Sequence, residues 1–160
     1  MQCCLSSLCR DGLQLQSPDR PAVTADLDRQ NRVIVDELRG GIDDLVAVYR
    51  FGSSAQGTSH RHSDTDVAVL RRAPLAALAR FDLQERLAGR LGHDVDLIDL
   101  AAASPVLAIQ VVAHGQLLFE GDSAARGDFE DRTFSSYARL NEERRGILER
   151  IAAEGSVYGR

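Results

Sequence analysis

The spacing of hydrophobic and polar residues predicts alternating helices and strands from about residue 24 onward. Between Thr24 and Arg39, apolar residues recur at helical spacing on an otherwise polar segment. Asp26 and Asp28 are predicted in the first turn of this helix, where acidic side chains interact favourably with the helix dipole. Gly40-Gly41 is predicted to end the helix.

The rest of the chain alternates between short apolar runs and longer periodic segments. Short runs rich in Val or Leu predict buried strands, and apolar residues every three or four positions predict helices. The predicted elements are a strand at 45–49, a strand at 65–70, a helix at 74–91 with Leu75, Leu78, Leu87 and Leu91 inward, a strand at 95–100, a helix from a Ser104 cap to about Gly115, a strand at 116–120 and, after a loop at 121–127, a long terminal helix. A break in the terminal helix near Gly146 stays open. This order predicts an α/β (α+β) fold, with a small mixed sheet flanked by helices.

The composition is that of one globular domain. The 160 residues are 44% hydrophobic and 27% charged, and a chain of this length buries most of its apolar surface without disulfides. The three cysteines all lie in the first ten residues, a position that favours neither a zinc site nor a disulfide framework. No apolar run predicts a membrane span, and the net charge of −5 argues against direct nucleic-acid binding. We expect a flexible extension over 1–22, a single domain over 23–153 and a cytoplasmic location.

The candidate chemistry lies in the stretch FGSSAQGTSHRHSDTDVAVL, residues 51–70. Asp64 and Asp66 alternate along a predicted strand, so both carboxylates point to the same face. Two carboxylates this close repel each other unless a cation compensates them, and oxygen ligands in an open site suit Mg²⁺ together with substrate phosphates. Upstream, Gly52 allows the backbone to approach a ligand closely, and Ser53 is placed to open a helix whose N–H groups attract phosphate. The stretch therefore predicts a site for a metal and a nucleotide.

A third carboxylate is expected from the segment HDVDLIDL, residues 93–100. Asp96 lies in the middle of the predicted strand and is the favoured candidate, and Asp94 on the same face is the second. The third carboxylate would complete a two-metal site or accept a proton from an incoming hydroxyl. For His93, at the entrance of this strand, a capping or dipole role is the simpler interpretation.

The spacing of Gly-Ser, ten residues and Asp-x-Asp resembles the signature of the DNA polymerase β-like nucleotidyltransferase superfamily. Within that superfamily the chain resembles the minimal nucleotidyltransferase (MNT) proteins, which include antitoxins paired with HEPN-domain toxins. The similar segments are FGSSAQG, SDTDVAVL, VDLIDL, VVAHGQLLFEGD and FEDRTFSSYARL, so that the resemblance covers residues 27–150 approximately. It implies the nucleotidyltransferase fold, ATP as substrate, two Mg²⁺ ions, and transfer of AMP to a tyrosine of a HEPN toxin with which the chain would assemble.

The resemblance also implies a role for each matching residue. Gly52 and Ser53 would bind the triphosphate, Asp64 and Asp66 would bind both nucleotide and metal, and Asp96 would be the third catalytic and metal-binding carboxylate. Two other functions stay open. One is nucleotidyl transfer to a small molecule such as an aminoglycoside. The other is neutralisation of the partner by binding with little catalysis, and this alternative rests on Gln56, which replaces the Arg or Lys of many relatives.

Overall fold

The computed structural model describes residues 20–52 and 64–154 of the chain. These residues form eight elements in the predicted order. They are α1 (Arg20–Gly41), β1 (Leu45–Phe51), β2 (Thr65–Arg71), α2 (Ala77–Leu91), β3 (Val95–Asp99), α3 (Pro105–His114), β4 (Gln116–Glu120) and α4 (Ser123–Glu154). Within these two ranges, no helix has the length and apolar character that crossing a membrane requires.

The four strands of the described residues form one mixed sheet in the order β3-β2-β1-β4. β1 is antiparallel to both of its neighbours, β2 and β4, whereas β2 and β3 run parallel. A parallel pair needs a crossover connection, which α2 supplies between β2 and β3. The end of β1 and the beginnings of β2 and β3 therefore lie at the same end of the sheet. The prediction of a small mixed sheet flanked by helices, with a long C-terminal helix, is confirmed.

Helices cover both faces of this sheet. On the first face, α1 and α2 pack on alternate residues of β1, β2 and β3, and on the second face α3 and α4 pack on the intervening residues. The first core includes Ile34, Leu38, Val48, Val67, Val69, Leu83, Leu87 and Leu97. The second core includes Tyr49, Ala68, Leu70, Leu100 and Val111, with Leu107 and Phe129 packed against it. Each strand residue can therefore be assigned to one of the two faces of the sheet, and the polar strand residues of the site can be assigned in the same way.

The helix α1 begins earlier than predicted. It starts at Arg20 rather than Thr24, and its first turn contains no acidic residue, so the placement of Asp26 and Asp28 in that turn is wrong. Pro21 explains the earlier start, because proline is favoured in the first helical turn, where its missing N–H group is not needed. Asp26 instead accepts a hydrogen bond from Gln30 Nε2 at 3.0 Å, one helical turn further on.

The helix α2 also departs from its prediction. It begins at Ala77 rather than at residue 74, and Leu78 is 72% exposed, so the prediction that this side chain faces inward is wrong. The buried residues of α2 are Leu83 and Leu87, which are spaced by one helical turn. Leu78 lies about 180° around the helix from Leu87 at 100° per residue, and this angle places it on the solvent face.

The start of α3 follows the predicted cap. Ser104 Oγ accepts a hydrogen bond from the Leu107 N–H at 3.3 Å, and Pro105 is the first helical residue. A serine cap followed by proline satisfies one free backbone donor and removes another. The short strand β4 has the bounds predicted for it, residues 116–120.

The terminal helix α4 begins before the predicted loop ends and runs without a break past Gly146. Asp122 caps it, because its Oδ1 accepts a hydrogen bond from the Ala125 N–H at 3.0 Å. This hydrogen bond, followed by the charge of Arg72, lowers the pKa of Asp122. The prediction of a loop over 121–127 is therefore wrong for residues 123–127. The cap at Asp122 and the packing of Phe129 outweigh the cost of about 1 kcal/mol for a glycine inside a helix.

Candidate nucleotidyltransferase site

The predicted aspartates meet at one end of the sheet. Asp66 lies in β2 and is the register partner of Asp96 in the parallel strand β3. Neighbouring strands are spaced by about 4.8 Å, and partners in register point to the same face, so these two carboxylates stand side by side. Asp64 lies directly before β2 and is exposed, as is Asp96, whereas Asp66 is half-buried. The structure thus brings together the three carboxylates that were predicted.

Of the two candidates for the third carboxylate, only Asp96 lies within β3. The strand begins at Val95, and Asp94 precedes it. The carbonyl oxygen of Asp94 accepts a hydrogen bond from the Thr65 N–H at 3.0 Å, so the backbone of Asp94 helps to fix the first residue of β2. The register favours Asp96 as the carboxylate that shares a ligand with Asp66.

The electrostatics of Asp66 reflect its burial and the neighbouring carboxylates. Burial raises the pKa of Asp66, the negative charges of Asp96 and Asp64 raise it further, and Arg50 lowers it. Three carboxylates at one strand end repel one another, and a divalent cation relieves this repulsion. The donor set consists of hard oxygen atoms, which suits Mg²⁺.

Among the described residues, no group of three acidic, histidine or cysteine side chains is arranged to hold a metal ion by itself. In proteins, Mg²⁺ usually takes one or two carboxylates and completes its shell with water and substrate phosphates. The pairing of Asp66 with Asp96, with the charge of Asp64 nearby, supplies carboxylates for such an open site, which the triphosphate of a nucleotide would complete.

Gly52 forms the turn that follows β1, and its backbone lies against Asp66. Its φ angle is +73°, a region that L side chains rarely adopt. A Cβ atom at this position would collide with Asp66 Oδ2 and lie 3.0 Å from Asp66 Cγ. Asp66 therefore leaves no room for a side chain at residue 52, whereas the close approach that the sequence predicts is one between the Gly52 backbone and a ligand. Its predicted contact with a triphosphate stays a prediction.

Several predicted residues lie outside the described part of the chain. Ser53, predicted to bind the triphosphate, and Gln56, which departs from the family pattern, both fall in the segment 53–63. The role of Ser53 therefore stays a prediction, based on its position directly after Gly52.

A polar pair that sequence reasoning missed lies under the aspartates. Arg50 is only 3% exposed and Thr65, between Asp64 and Asp66, is 1% exposed. Arg50 Nη2 donates a hydrogen bond to Thr65 Oγ1 at 3.3 Å. The signal was present in the sequence: Arg50 is a charged residue inside the apolar run LVAVYRF, two residues after Val48, and this spacing puts it on the first face of the sheet.

His93 also has a contact that the sequence interpretation did not anticipate. Its Nε2 atom lies 2.8 Å from Thr65 Oγ1, so its ring is hydrogen-bonded to the residue between the two aspartates. A role limited to capping or to the helix dipole is therefore wrong for His93. The contact depends on the parallel pairing of β2 with β3, which brings residues 28 positions apart in the chain together.

A mixed four-stranded sheet that gathers a glycine turn and three carboxylates at one end defines a nucleotidyltransferase fold. The chain belongs to the family described as polymerase beta nucleotidyltransferase, whose model matches residues 34–124. The resemblance inferred from the sequence is thereby confirmed.

The relatives of this chain include an antitoxin enzyme. The protein adenylyltransferase MntA of Shewanella oneidensis is 43% identical over 120 residues, which are 75% of this chain and 86% of MntA. A crystal structure of a toxin–antitoxin with AMP-PNP has a TM-score of 0.69 and 41% identity, and the match covers 76% of this chain and 98% of that one. A tri-AMPylated Shewanella oneidensis HEPN toxin in complex with its MNT antitoxin gives a chain with a TM-score of 0.66 and 36% identity, covering 78% of this chain and 98% of that one.

Proposed function

We propose that this chain is an antitoxin that transfers AMP from ATP to a tyrosine hydroxyl of a HEPN-domain toxin. The observation that carries the proposal is the register of Asp66 with Asp96 beside the Gly52 turn, in a chain 43% identical to a protein adenylyltransferase. The similarity to the antitoxin bound to a tri-AMPylated HEPN toxin supports the same acceptor here. The chain acts in the cytoplasm as a hetero-oligomer with its toxin.

The reaction is an in-line displacement at the α-phosphorus of ATP. The tyrosine oxygen forms a bond to the α-phosphorus, and the bond from that phosphorus to the bridging oxygen of the β-phosphate breaks. AMP becomes attached to the toxin and pyrophosphate leaves. The tyrosine hydroxyl, with an ordinary pKa of about 10, must lose its proton as the new bond forms.

Different residues of the chain would bind the triphosphate, the metal ions and the proton of the acceptor. The backbone turn at Gly52 and the hydroxyl of Ser53 hold the triphosphate. Asp64 and Asp66 would hold two Mg²⁺ ions, which would supply electrostatic stabilisation of the charge that develops on the reacting oxygens. Asp96, whose carboxylate is exposed, would be the third ligand or would accept the proton of the acceptor hydroxyl.

The decisive experiment compares the wild-type chain with an Asp64→Asn, Asp66→Asn variant. Each is incubated with the purified HEPN partner, ATP and Mg²⁺, and intact mass spectrometry measures the toxin. The wild type is expected to add one or more AMP groups, and the variant none. Native mass spectrometry of the same mixtures checks that the variant still binds the toxin.

Three results would overturn this proposal. If the variant neutralised the toxin in cells as well as the wild type, binding alone would account for the antitoxin effect. If AMP appeared only on a small hydroxylated acceptor, the chain would be a small-molecule nucleotidyltransferase. If no nucleotide were transferred to any acceptor, the proposed activity would be wrong.

A further inference from the structure

The buried pair Arg50–Thr65 lies on the side of the sheet opposite to the carboxylates. Arg50 is the register partner of Val67, whereas Phe51 is the register partner of Asp66. Since successive residues point to opposite faces, the Arg50 side chain lies on the α1 face and the Asp66 carboxylate on the other. The Arg50 side chain therefore lies beneath the carboxylates, on the other side of the sheet.

The Arg50 guanidinium joins three elements. Nη1 donates a hydrogen bond to Asn31 Oδ1 at 3.0 Å, and Nη2 donates to Gln30 Oε1 at 3.1 Å and to Thr65 Oγ1 at 3.3 Å. These bonds connect the end of β1 with α1 and with the first residue of β2. Burying a guanidinium costs several kcal/mol before such bonds compensate it, and an apolar residue like its neighbour Val48 fills the same layer without that cost. A role in packing alone therefore explains Arg50 poorly.

Thr65 is held from three directions. Its hydroxyl accepts the hydrogen bond from Arg50 and lies 2.8 Å from His93 Nε2, and its N–H donates to the Asp94 carbonyl oxygen at 3.0 Å. These bonds fix the position of Thr65 relative to β1 and to the residues that lead into β3. Because Thr65 joins Asp64 to Asp66 in the chain, the same bonds fix the backbone of both aspartates.

We propose that Arg50 and Thr65 are positioning residues, which hold the backbone of Asp64 and Asp66 at the correct distance from Asp96 before Mg²⁺ and nucleotide bind. The proposal rests on the proposed function, because it needs these carboxylates to bind Mg²⁺. The carboxylates at the ends of β2 and β3 repel one another, which favours separation of the two strand ends. Arg50 and Thr65 oppose this separation from the α1 face of the sheet, so they leave the face that carries the carboxylates free for a ligand. The charge of Asp66 acts on Arg50 as well: burial lowers the pKa of Arg50, and Asp26 and then Asp66 raise it.

The test removes the Thr65 hydroxyl without changing the shape of the side chain. Thr65→Val is expected to raise the Mg²⁺ concentration needed for half-maximal AMP-PNP binding by about 10–100-fold, the range found when a residue that orients a metal ligand is lost. Isothermal titration calorimetry measures this binding. Thr65→Ser keeps the hydroxyl and is expected to stay close to wild type. Thr133→Val is the matched control, since Thr133 is a threonine on α4 that is 5% exposed.

A second variant tests whether the two residues act together. Arg50→Lys keeps the charge but loses the planar fork of donors, and it is expected to raise the Mg²⁺ requirement in the same direction. Combining it with Thr65→Val is expected to add little, because residues in one hydrogen-bond network are not additive. Fully additive effects would mean that Arg50 does not act through Thr65 and would overturn the proposal.

The outcomes separate this inference from the proposed function. If wild-type AMP-PNP binding depends on Mg²⁺ and Thr65→Val has the same dependence, the positioning role is wrong while the proposed function stands. An equal shift in Thr65→Val and Thr133→Val would also overturn it, because a general loss of stability would then explain both. If wild-type AMP-PNP binding did not depend on Mg²⁺, the inference would fail, whereas the proposed function would still be decided by the transfer of AMP to the toxin.

Discussion

Gly52→Ala tests the link between the backbone turn and the carboxylate site. The φ angle of +73° costs an L residue about 1–2 kcal/mol, which for a domain of this size lowers the melting temperature by roughly 3–10 °C. The added Cβ also collides with Asp66 Oδ2, so the carboxylate must move away. A displacement of about 1 Å at reacting groups costs on the order of 100-fold in rate. We therefore expect a modest loss of stability and a much larger loss of AMP transfer.

Gly92→Ala is the matched control for backbone strain. Gly92 has a φ angle of +76°, and a Cβ there meets no heavy atom within 4 Å. It should lose a similar amount of stability and keep wild-type transfer when both variants are assayed well below their melting temperatures. Differential scanning fluorimetry gives the stability, and the initial rate of toxin modification gives the activity. If the two variants retained equal activity, the close approach of Gly52 to Asp66 would have no functional importance.

Three further predictions concern the third carboxylate, the cap of α4 and the core. Asp96→Asn is expected to reduce the initial transfer rate at least 100-fold and Asp94→Asn less than 10-fold, in keeping with the usual 10²–10⁴-fold contribution of an acid–base group; equal losses would contradict the assignment from register. A backbone hydrogen bond at the start of α4 lowers the pKa of Asp122. The ionised form of Asp122 therefore stabilises the fold at pH values above the ordinary aspartate pKa of about 3.9. This stabilisation is lost as the pH falls through the lower pKa of the folded state. The difference in melting temperature between wild type and Asp122→Asn should therefore narrow below about pH 4, and a constant difference would exclude the charge as its cause. Leu87→Ala should lower the free energy of unfolding in urea by about 2–5 kcal/mol, whereas Leu78→Ala, at a side chain 72% exposed, should change it by less than about 0.5 kcal/mol; similar losses would contradict the assigned faces of α2.

Much of the site could be predicted from the sequence because strand alternation is a local property. It placed Asp64 and Asp66 on one face, and the apolar run around Asp96 placed that residue in the middle of the next predicted strand. Which of Asp94 and Asp96 stands beside Asp66 depends on register, a property of two strands separated by α2. The sequence therefore left two candidates, and the pairing of Asp66 with Asp96 distinguishes them.

The errors have physical causes of the same kind. Helical periodicity places Leu78 and Leu87 on opposite sides of α2, so both could not face inward. Which of the two faces the core depends on the sheet beneath α2, and the sequence does not show that sheet. The interior glycine of α4 suggested a loop, and the cap at Asp122 overrode it. Arg50 was overlooked because a buried cation needs partners from other elements, and its acceptors Gln30 and Thr65 lie 20 and 15 residues away in the chain.

The central claim is that the carboxylates at the ends of β2 and β3 direct transfer of the α-phosphate of ATP to a HEPN toxin. The most direct measurement incubates the chain and its toxin partner with ATP that carries a radioactive phosphorus at either the α- or the γ-position, followed by denaturing electrophoresis. We expect the toxin band to become labelled from α-labelled ATP only. The Asp66→Asn variant is expected to abolish this label. Label from γ-labelled ATP would indicate a kinase, and undiminished α-label with Asp66→Asn would contradict the assigned site.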